Sequence, residues 1–205
     1  MAERAVRRLA DVALSCGGLL LLGPVLIALS VWVWLDAGWP VLYRGVRTGR
    51  HGVPFRIYKF RTMVPDAETR GGGTTGQNDP RVTRSGRFLR RHKLDELPQL
   101  LNVIRGDMSL VGPRPELLRY TTLYSAEERE ILGVRPGITD PSSLEFIALD
   151  QVVGSDSPDA TYERTVLPVK NRLRLEYVRT RTLWRDFGIL AKTAWRVARR
   201  LAARP

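Results

Sequence analysis

The chain has 205 residues, 43% of them hydrophobic and 26% charged, with 33 Lys and Arg against 21 Asp and Glu and a net charge of +12. That size fits one domain with at most a small appendage, leaves no room for a ten-helix integral enzyme at about 20 apolar residues per span, and is too apolar for wholesale disorder. A single cysteine excludes an internal disulfide framework, two histidines beside it leave little for a zinc site, and the charge points to an anionic partner: nucleic acid, an anionic membrane surface or a phosphorylated substrate.

From Val12 to Leu35 there is a run of 24 residues without a charge. As a helix of about 1.5 Å per residue it is long enough to cross a hydrocarbon core of about 30 Å. Two features argue against a simple crossing. Pro24, preceded by Gly23, sits near the middle, where it removes a backbone hydrogen bond and bends a helix. Arg4, Arg7 and Arg8 precede the run, and Arg44, Arg47 and Arg50 follow it. Lys and Arg favour the cytoplasmic side, so both flanks are satisfied if both ends stay there. The expectation is a re-entrant helix-break-helix over residues 1–40, with Gly23 and Pro24 as the membrane break, followed by a cytoplasmic-face domain over residues 41–205. A kinked span, a buried core helix and a signal peptide are the alternatives; the run is long for a signal peptide, and no convincing small-x-small cleavage site follows it. Trp32, Trp34 and Trp39 suit an interfacial belt or ordinary packing, and Cys16 reads as a small buried hydrophobe.

Residues 41–47 and 53–60 read as two strands around a glycine-flanked hairpin loop at 48–52, with Lys59 and Arg61 on one face. Residues 64–82 hold three consecutive glycines and an Asn-Asp-Pro turn, and read as a mobile loop of the kind that forms a lid or a solvated insertion. Helices are expected at 85–93 and 95–105, and at 126–133 behind a Ser125–Glu128 capping box. Residues 150–161 are polar and turn-rich. From Tyr162 the chain reads as helical, interrupted near Pro168 and ending in a basic amphipathic helix. Its apolar side carries Leu183, Phe187, Leu190, Ala194, Trp195 and Leu201; its basic side includes Arg185, Lys192, Arg196, Arg199, Arg200 and Arg204. Such a helix fits a membrane interface or an ordinary core contact with a solvated basic face. The fold class is α+β, mostly helical, with a short β-hairpin.

Asp95 and Glu96 are adjacent carboxylates at the start of an apolar-periodic segment, with Pro98 tolerated in its first turn. A helix N-terminus favours anions, so the pair is either a cap or part of a phosphate site. With 96–105 helical, Asp107 lies about 15 Å from Asp95, at the far end, and reads as structural. Residues 108–111 can then run back extended, bringing Arg114, clamped between Pro113 and Pro115, beside the carboxylates. A fixed guanidinium there suits phosphate transfer, with Lys59, Arg61 and Arg90 as further cations.

KFRTM at 59–63, DELPQLLNV at 95–103, RGDMSLVGPRP at 105–115 and VRPGIT at 134–139 together resemble the bacterial sugar transferase family, the monotopic polyprenyl-phosphate phosphoglycosyl transferases. The resemblance covers nearly the whole chain. It implies a re-entrant anchor beneath a mixed α/β domain on the cytoplasmic face of the bacterial inner membrane. It also implies transfer of a sugar-1-phosphate from a nucleoside diphosphate sugar, usually a UDP-sugar, to polyprenyl phosphate, releasing UMP, as the first membrane step of a surface glycan pathway. Asp95 matches the nucleophile that forms an aspartyl-phosphosugar intermediate, and Glu96 the residue that binds Mg²⁺. Arg90 and Arg114 match positions near bound phosphate; Lys59 and Arg135 match basic positions.

The chain departs from the family pattern at GITD, where GITG and a Trp-Ala-Gln segment are common, and at Gly23, where Ser is common. The competing classes are a non-catalytic basic membrane adaptor or nucleic-acid module, and a catalytic domain that works beside other membrane helices. The sequence carries no helix-turn-helix, zinc-finger or aromatic RNA-binding signature, so no nucleic-acid partner is expected. A homo-oligomer stays open.

Overall fold

The first element of the computed structural model is a helix, α1 (Ala2–Ala37), and the structure describes residues 2–202 except Glu68, Gln77, Ser155 and Asp156, and except the side chains of Asp150, Arg200 and Leu201. Arg204 therefore lies outside the described residues. α1 stays helical through Gly23 and Pro24, so the expected division into two half-helices is not shown. Among the described residues it is the one helix long and apolar enough to cross a membrane. Both its ends are held by the rest of the chain. Near the start, Asp11 accepts hydrogen bonds from Ser109 Oγ at 2.6 Å and Leu110 N at 3.0 Å. Near the end, Leu29 and Val33 pack on Phe60 and Leu89, and Asp36 accepts from Ser85 N and Oγ, both at 2.7 Å. Between these anchors Leu20, Leu21 and Ile27 are 85%, 80% and 68% exposed. Cys16 is exposed too, not buried as expected. Trp32 packs against Phe88, whereas Trp34 and Trp39 are exposed.

The expected hairpin forms as two antiparallel rungs. β1 (Leu42–Tyr43) pairs with β4 (Lys59–Phe60), and β2 (Val46–Thr48) pairs with β3 (Pro54–Arg56). The ladder lapses at Arg44-Gly45 and Ile57-Tyr58, where Ile57 turns into a core with Val103 and Met108. α2 (Arg84–Arg91) begins at a Thr83 cap that accepts from Gly86 N at 3.0 Å. α3 (Gln99–Arg105) ends on Gly106 at φ 93°, a left-handed turn that glycine enters at no steric cost. Arg8 of α1 donates to the carbonyls of Val103 and Ile104 in its last turn.

β5 (Ser109–Val111) returns along α3 as expected and pairs in parallel with β6 (Gly137–Thr139). A Cβ on Gly137 would lie 2.1 Å from the Gly112 nitrogen, so the chain carrying Arg114 passes against β6 only because glycine is there. α4 (Leu118–Thr121) follows. The Ser125–Glu128 box closes with bonds of 2.9 and 3.2 Å, but opens a 3-10 turn, Glu128–Gly133, instead of an α-helix over 126–133. Asp140 caps α5 (Pro141–Glu145). The segment expected to be turn-rich holds α6 (Leu149–Val153) and α7 (Pro158–Thr161), then a π-turn over Tyr162–Val166. Pro168 sits in the first turn of α8 (Leu167–Thr180), where proline is tolerated, so the interruption falls instead at Arg181–Thr182, before α9 (Leu183–Ala202). α9 has two apolar sides. Ile189 packs with Val111, Leu144 and Tyr177, while Trp184 and Trp195 are 85% and 65% exposed.

Candidate active site

Asp95 and Glu96 lie in a 3-10 turn, Leu94–Glu96, entered through Lys93 at φ 58° and ψ 22°. The helix expected from residue 95 begins only at Gln99, because Pro98 serves as its cap. The pair therefore stands one turn ahead of α3. Asp95 is buried, and its Oδ1 has no hydrogen-bond partner. Glu96 is held by Arg114, whose two terminal nitrogens donate to its two oxygens at 2.8 and 2.5 Å. Lys59 Nζ lies 3.6 Å from Glu96 Oε1. Burial opposes ionisation of Glu96, but Arg114 and Lys59 outweigh it and hold the carboxyl well below its ordinary range. Burial pushes the Lys59 ammonium down to about 8 against the pull of Glu96.

Arg90 is pinned by a bond from Nε to Thr62 Oγ1 at 2.8 Å, and burial lowers its pKa despite Asp95 nearby. These groups line one open cleft of about 2000 Å³. The loop at 64–82 forms another wall. Asp159 holds it, accepting from Thr74 N at 2.7 Å and Gly73 N at 3.2 Å while pairing with Arg119 at 2.9 Å.

Two expected cations are committed elsewhere. Arg61 borders the cleft, yet its guanidinium donates to the carbonyls of Ala37 and Trp39 at 3.4 and 3.2 Å, closing the end of α1. Arg135 does not line the cleft; its Nε donates to Gly106 O at 2.9 Å and braces the turn out of α3. Asp107 accepts from Asn102 Nδ2 at 3.1 Å, in the structural role its spacing suggested.

The chain matches the bacterial sugar transferase family over residues 2–200. It is 37% identical over 190 residues to a UDP-glucose:undecaprenyl-phosphate glucose-1-phosphate transferase of Caulobacter vibrioides, covering 91% of this chain and 67% of that one. An Escherichia coli protein of the same name is 36% identical over 201 residues, covering 95% of this chain and 40% of that one. An undecaprenyl-phosphate galactose phosphotransferase of Salmonella typhimurium is 38% identical over 213 residues, covering 97% of this chain and 41% of its own length. This chain belongs to the bacterial sugar transferase family. It is a phosphoglycosyl transferase.

In this family member the wall behind Arg114 is a buried polar network that sequence reasoning missed. Arg174 is fully buried, 2.8 Å from Glu116 Oε1 and 3.4 Å from Asp140 Oδ2. Asp140 also accepts from Arg114 N at 3.2 Å, and the Tyr162 hydroxyl donates to Glu116. The network thus fixes the backbone of the Pro-Arg-Pro turn. The available signal was the spacing of Lys170, Asn171, Arg174 and Tyr177, which share one side of α8 and are all buried.

Proposed function

We propose that this transferase moves a sugar-1-phosphate from a UDP-sugar to undecaprenyl phosphate at a bacterial membrane, with Asp95 as the nucleophile. The carrying observation is the Asp95 carboxylate: buried in a cationic cleft, with one oxygen free of hydrogen bonds, beside a glutamate locked by Arg114. The names of the relatives support the donor and acceptor classes.

In the first step an Asp95 oxygen attacks the β-phosphorus of the donor. The bond from that phosphorus to the bridging oxygen breaks, its electron pair leaves with UMP, and an acyl phosphate carrying the sugar forms. In the second step a phosphate oxygen of the lipid attacks the same phosphorus and the Asp95 carboxylate departs. Two displacements replace one, as in covalent catalysis generally. Arg90 and Lys59 offset charge on the diphosphate. Arg114 acts mainly through Glu96, fixing its carboxylate next to the nucleophile.

The residues fit a magnesium ion. Asp95 Oδ1 is uncommitted and Glu96 is ionised beside it, while no group of three or more His, Cys, Asp or Glu side chains gathers among the described residues. A hard ion of this kind takes one or two carboxylates and completes its shell with water and substrate phosphate. When bound, it supplies neutralisation of the diphosphate and of the leaving nucleotide.

We also infer that α1 enters the membrane and returns to the same side. Asp11 and Asp36 both bond to the catalytic domain, and Leu20, Leu21 and Ile27 between them are exposed. A straight span over 25 residues would separate them by about 37 Å and put them on opposite faces. One folded body holding both supports a single, cytoplasmic face. The exposed Trp184, Phe187 and Trp195 of α9 support contact with the same interface, since Asp186 is tied to Arg7 of α1 at 2.7 Å.

The test is mass spectrometry of intact protein after incubation with UDP-sugars and a divalent cation, without lipid acceptor. The expected result is release of about one equivalent of UMP and the mass of a sugar phosphate on Asp95. Asp95→Asn should gain no mass and lose turnover; near wild-type turnover in that variant would remove Asp95 as nucleophile. A panel of UDP-sugars in the same assay identifies the donor.

A further inference from the structure

The cleft extends past Arg114 to a further cation that the reaction as described does not use. Lys170 of α8 is buried, only 4% exposed, yet lines the cleft that holds Asp95 and Glu96. Its ammonium lies 3.5 Å from the Tyr162 hydroxyl, 4.8 Å from the centre of the Tyr162 ring and 5.7 Å from that of Phe146. Among the described residues, no ion pair joins it to a carboxylate. The two nearby acids, Glu116 and Asp140, are taken by Arg174.

A buried ammonium without a contacting counter-charge is costly to keep. Its hydrogen bond to the Tyr162 hydroxyl is long at 3.5 Å, and it acts on Glu116 without contact, so neither neighbour neutralises it. An ammonium on a substrate cleft, next to aromatic faces that tolerate a cation, instead suits an anion that arrives from solution. In a transferase whose donor and acceptor are both phosphate esters, that anion is a phosphate oxygen.

We propose that Lys170 is an anion-binding residue of this cleft, pairing with a phosphate oxyanion of the nucleotide donor or of the phosphorylated lipid. This deepens the reading of the cleft given above and rests on it. The neighbours of Lys170 set its response. Burial first, then Arg174 and Arg114, push its pKa down to about 7, against Glu116 and Asp140, which raise it. Binding of a phosphate adds a negative charge at contact and drives the group to the protonated side.

The experiment uses the full chain in lipid nanodiscs and reads binding, not transfer. Affinities of UMP and of a short-chain prenyl phosphate are measured by calorimetry for wild type and Lys170→Met, which keeps the apolar stem. The expected result is a loss of 10-fold or more for one of the two ligands, with the other within twofold; the ligand that weakens names the source of the phosphate. Equal affinities for both ligands in the two proteins overturn the role of Lys170 and leave the transferase reading intact. Failure of wild type to bind either ligand overturns both. A second measurement needs no variant: amine acetylation of Lys170 in wild type at pH 7, followed by peptide mass spectrometry. UMP or the prenyl phosphate should slow labelling at Lys170 at least fivefold, whereas uridine should not. Unchanged labelling with both phosphates overturns the proposal even where Lys170→Met does not fold.

Discussion

Arg114 grips Glu96 through both terminal guanidinium nitrogens, at 2.8 and 2.5 Å, with its own backbone nitrogen held by Asp140. The forked geometry fixes the direction of the carboxylate as well as its charge, which a lysine cannot reproduce. Arg114→Lys should therefore keep the charge and lose the alignment. One charge-assisted hydrogen bond is worth about 1.5–3 kcal/mol, so kcat/KM should fall roughly 10- to 100-fold. Steady-state UMP release measures it, and a change under twofold would show that Glu96 needs no fork.

Asp159 is the contact between the glycine-rich loop and the helical side of the domain. It accepts from Gly73 N and Thr74 N and pairs with Arg119. Asp159→Ala removes all of these together. Limited proteolysis should then cut within residues 64–82 several-fold faster, because these bonds tie the loop to α7 and α4. If the loop closes the cleft during turnover, KM for the donor rises while the melting temperature changes little. Unaltered proteolysis would mean that the loop is held by other bonds, such as those from Arg81 to Ala67 and Gly72.

Glu116 couples folding to pH. Burial raises its pKa, but Arg174 and Lys170 outweigh that and bring it to about 2, below the ordinary 4.5. A depressed carboxyl contributes stability that is full above the unfolded value and is lost as pH falls through the folded one. The window is thus pH 4.5 down to 2, and its size is about 3 kcal/mol. Glu96 shifts in the same direction. Glu116→Gln should lower the melting temperature at pH 7, since Arg174 loses its nearest partner, and should flatten the fall between pH 5 and pH 3 without abolishing it. Parallel pH curves for the two proteins would show that Glu116 carries none of the acid sensitivity.

The family was the most legible part of the sequence, because its motifs are short and contiguous. Asp95, Glu96 and Arg114 come together as their spacing allowed: α3 goes out, Gly106 turns, and β5 comes back. Arg61 and Arg135 were harder. A basic residue on a strand or before a proline can face the cleft or cap a backbone, and only the tertiary neighbours decide; here the carbonyls at the end of α1 and at Gly106 claim them. The network of Glu116, Asp140 and Arg174 was hidden for a related reason. Its members lie up to 58 positions apart, and a charged side of a helix reads as solvated until something buries it. The capping box at Ser125 was visible, yet a cap specifies where a turn starts and not whether it becomes α or 3-10.

The course of α1 in the membrane is the remaining prediction, and the single native cysteine makes it tractable. Asp11 and Asp36 tie the two ends of the helix to one domain, through Ser109 and Leu110 at one end and Ser85 at the other. With Cys16 replaced by Ser, one new cysteine is placed at Ala5 and another, in a separate protein, at Gly52, both exposed. In sealed inside-out vesicles a membrane-impermeant maleimide should label both, and in right-side-out cells it should label neither until the membrane is opened. Opposite labelling of the two positions would establish a span and sink the re-entrant course. Pro24→Ala then probes the cause. A proline in mid-helix removes one backbone bond and eases bending, so its loss favours a straight rod. In that variant a fraction of the position-5 cysteine should become reachable from outside. The bonds to Asp11 and Asp36 should break in the same fraction, and activity should fall with it.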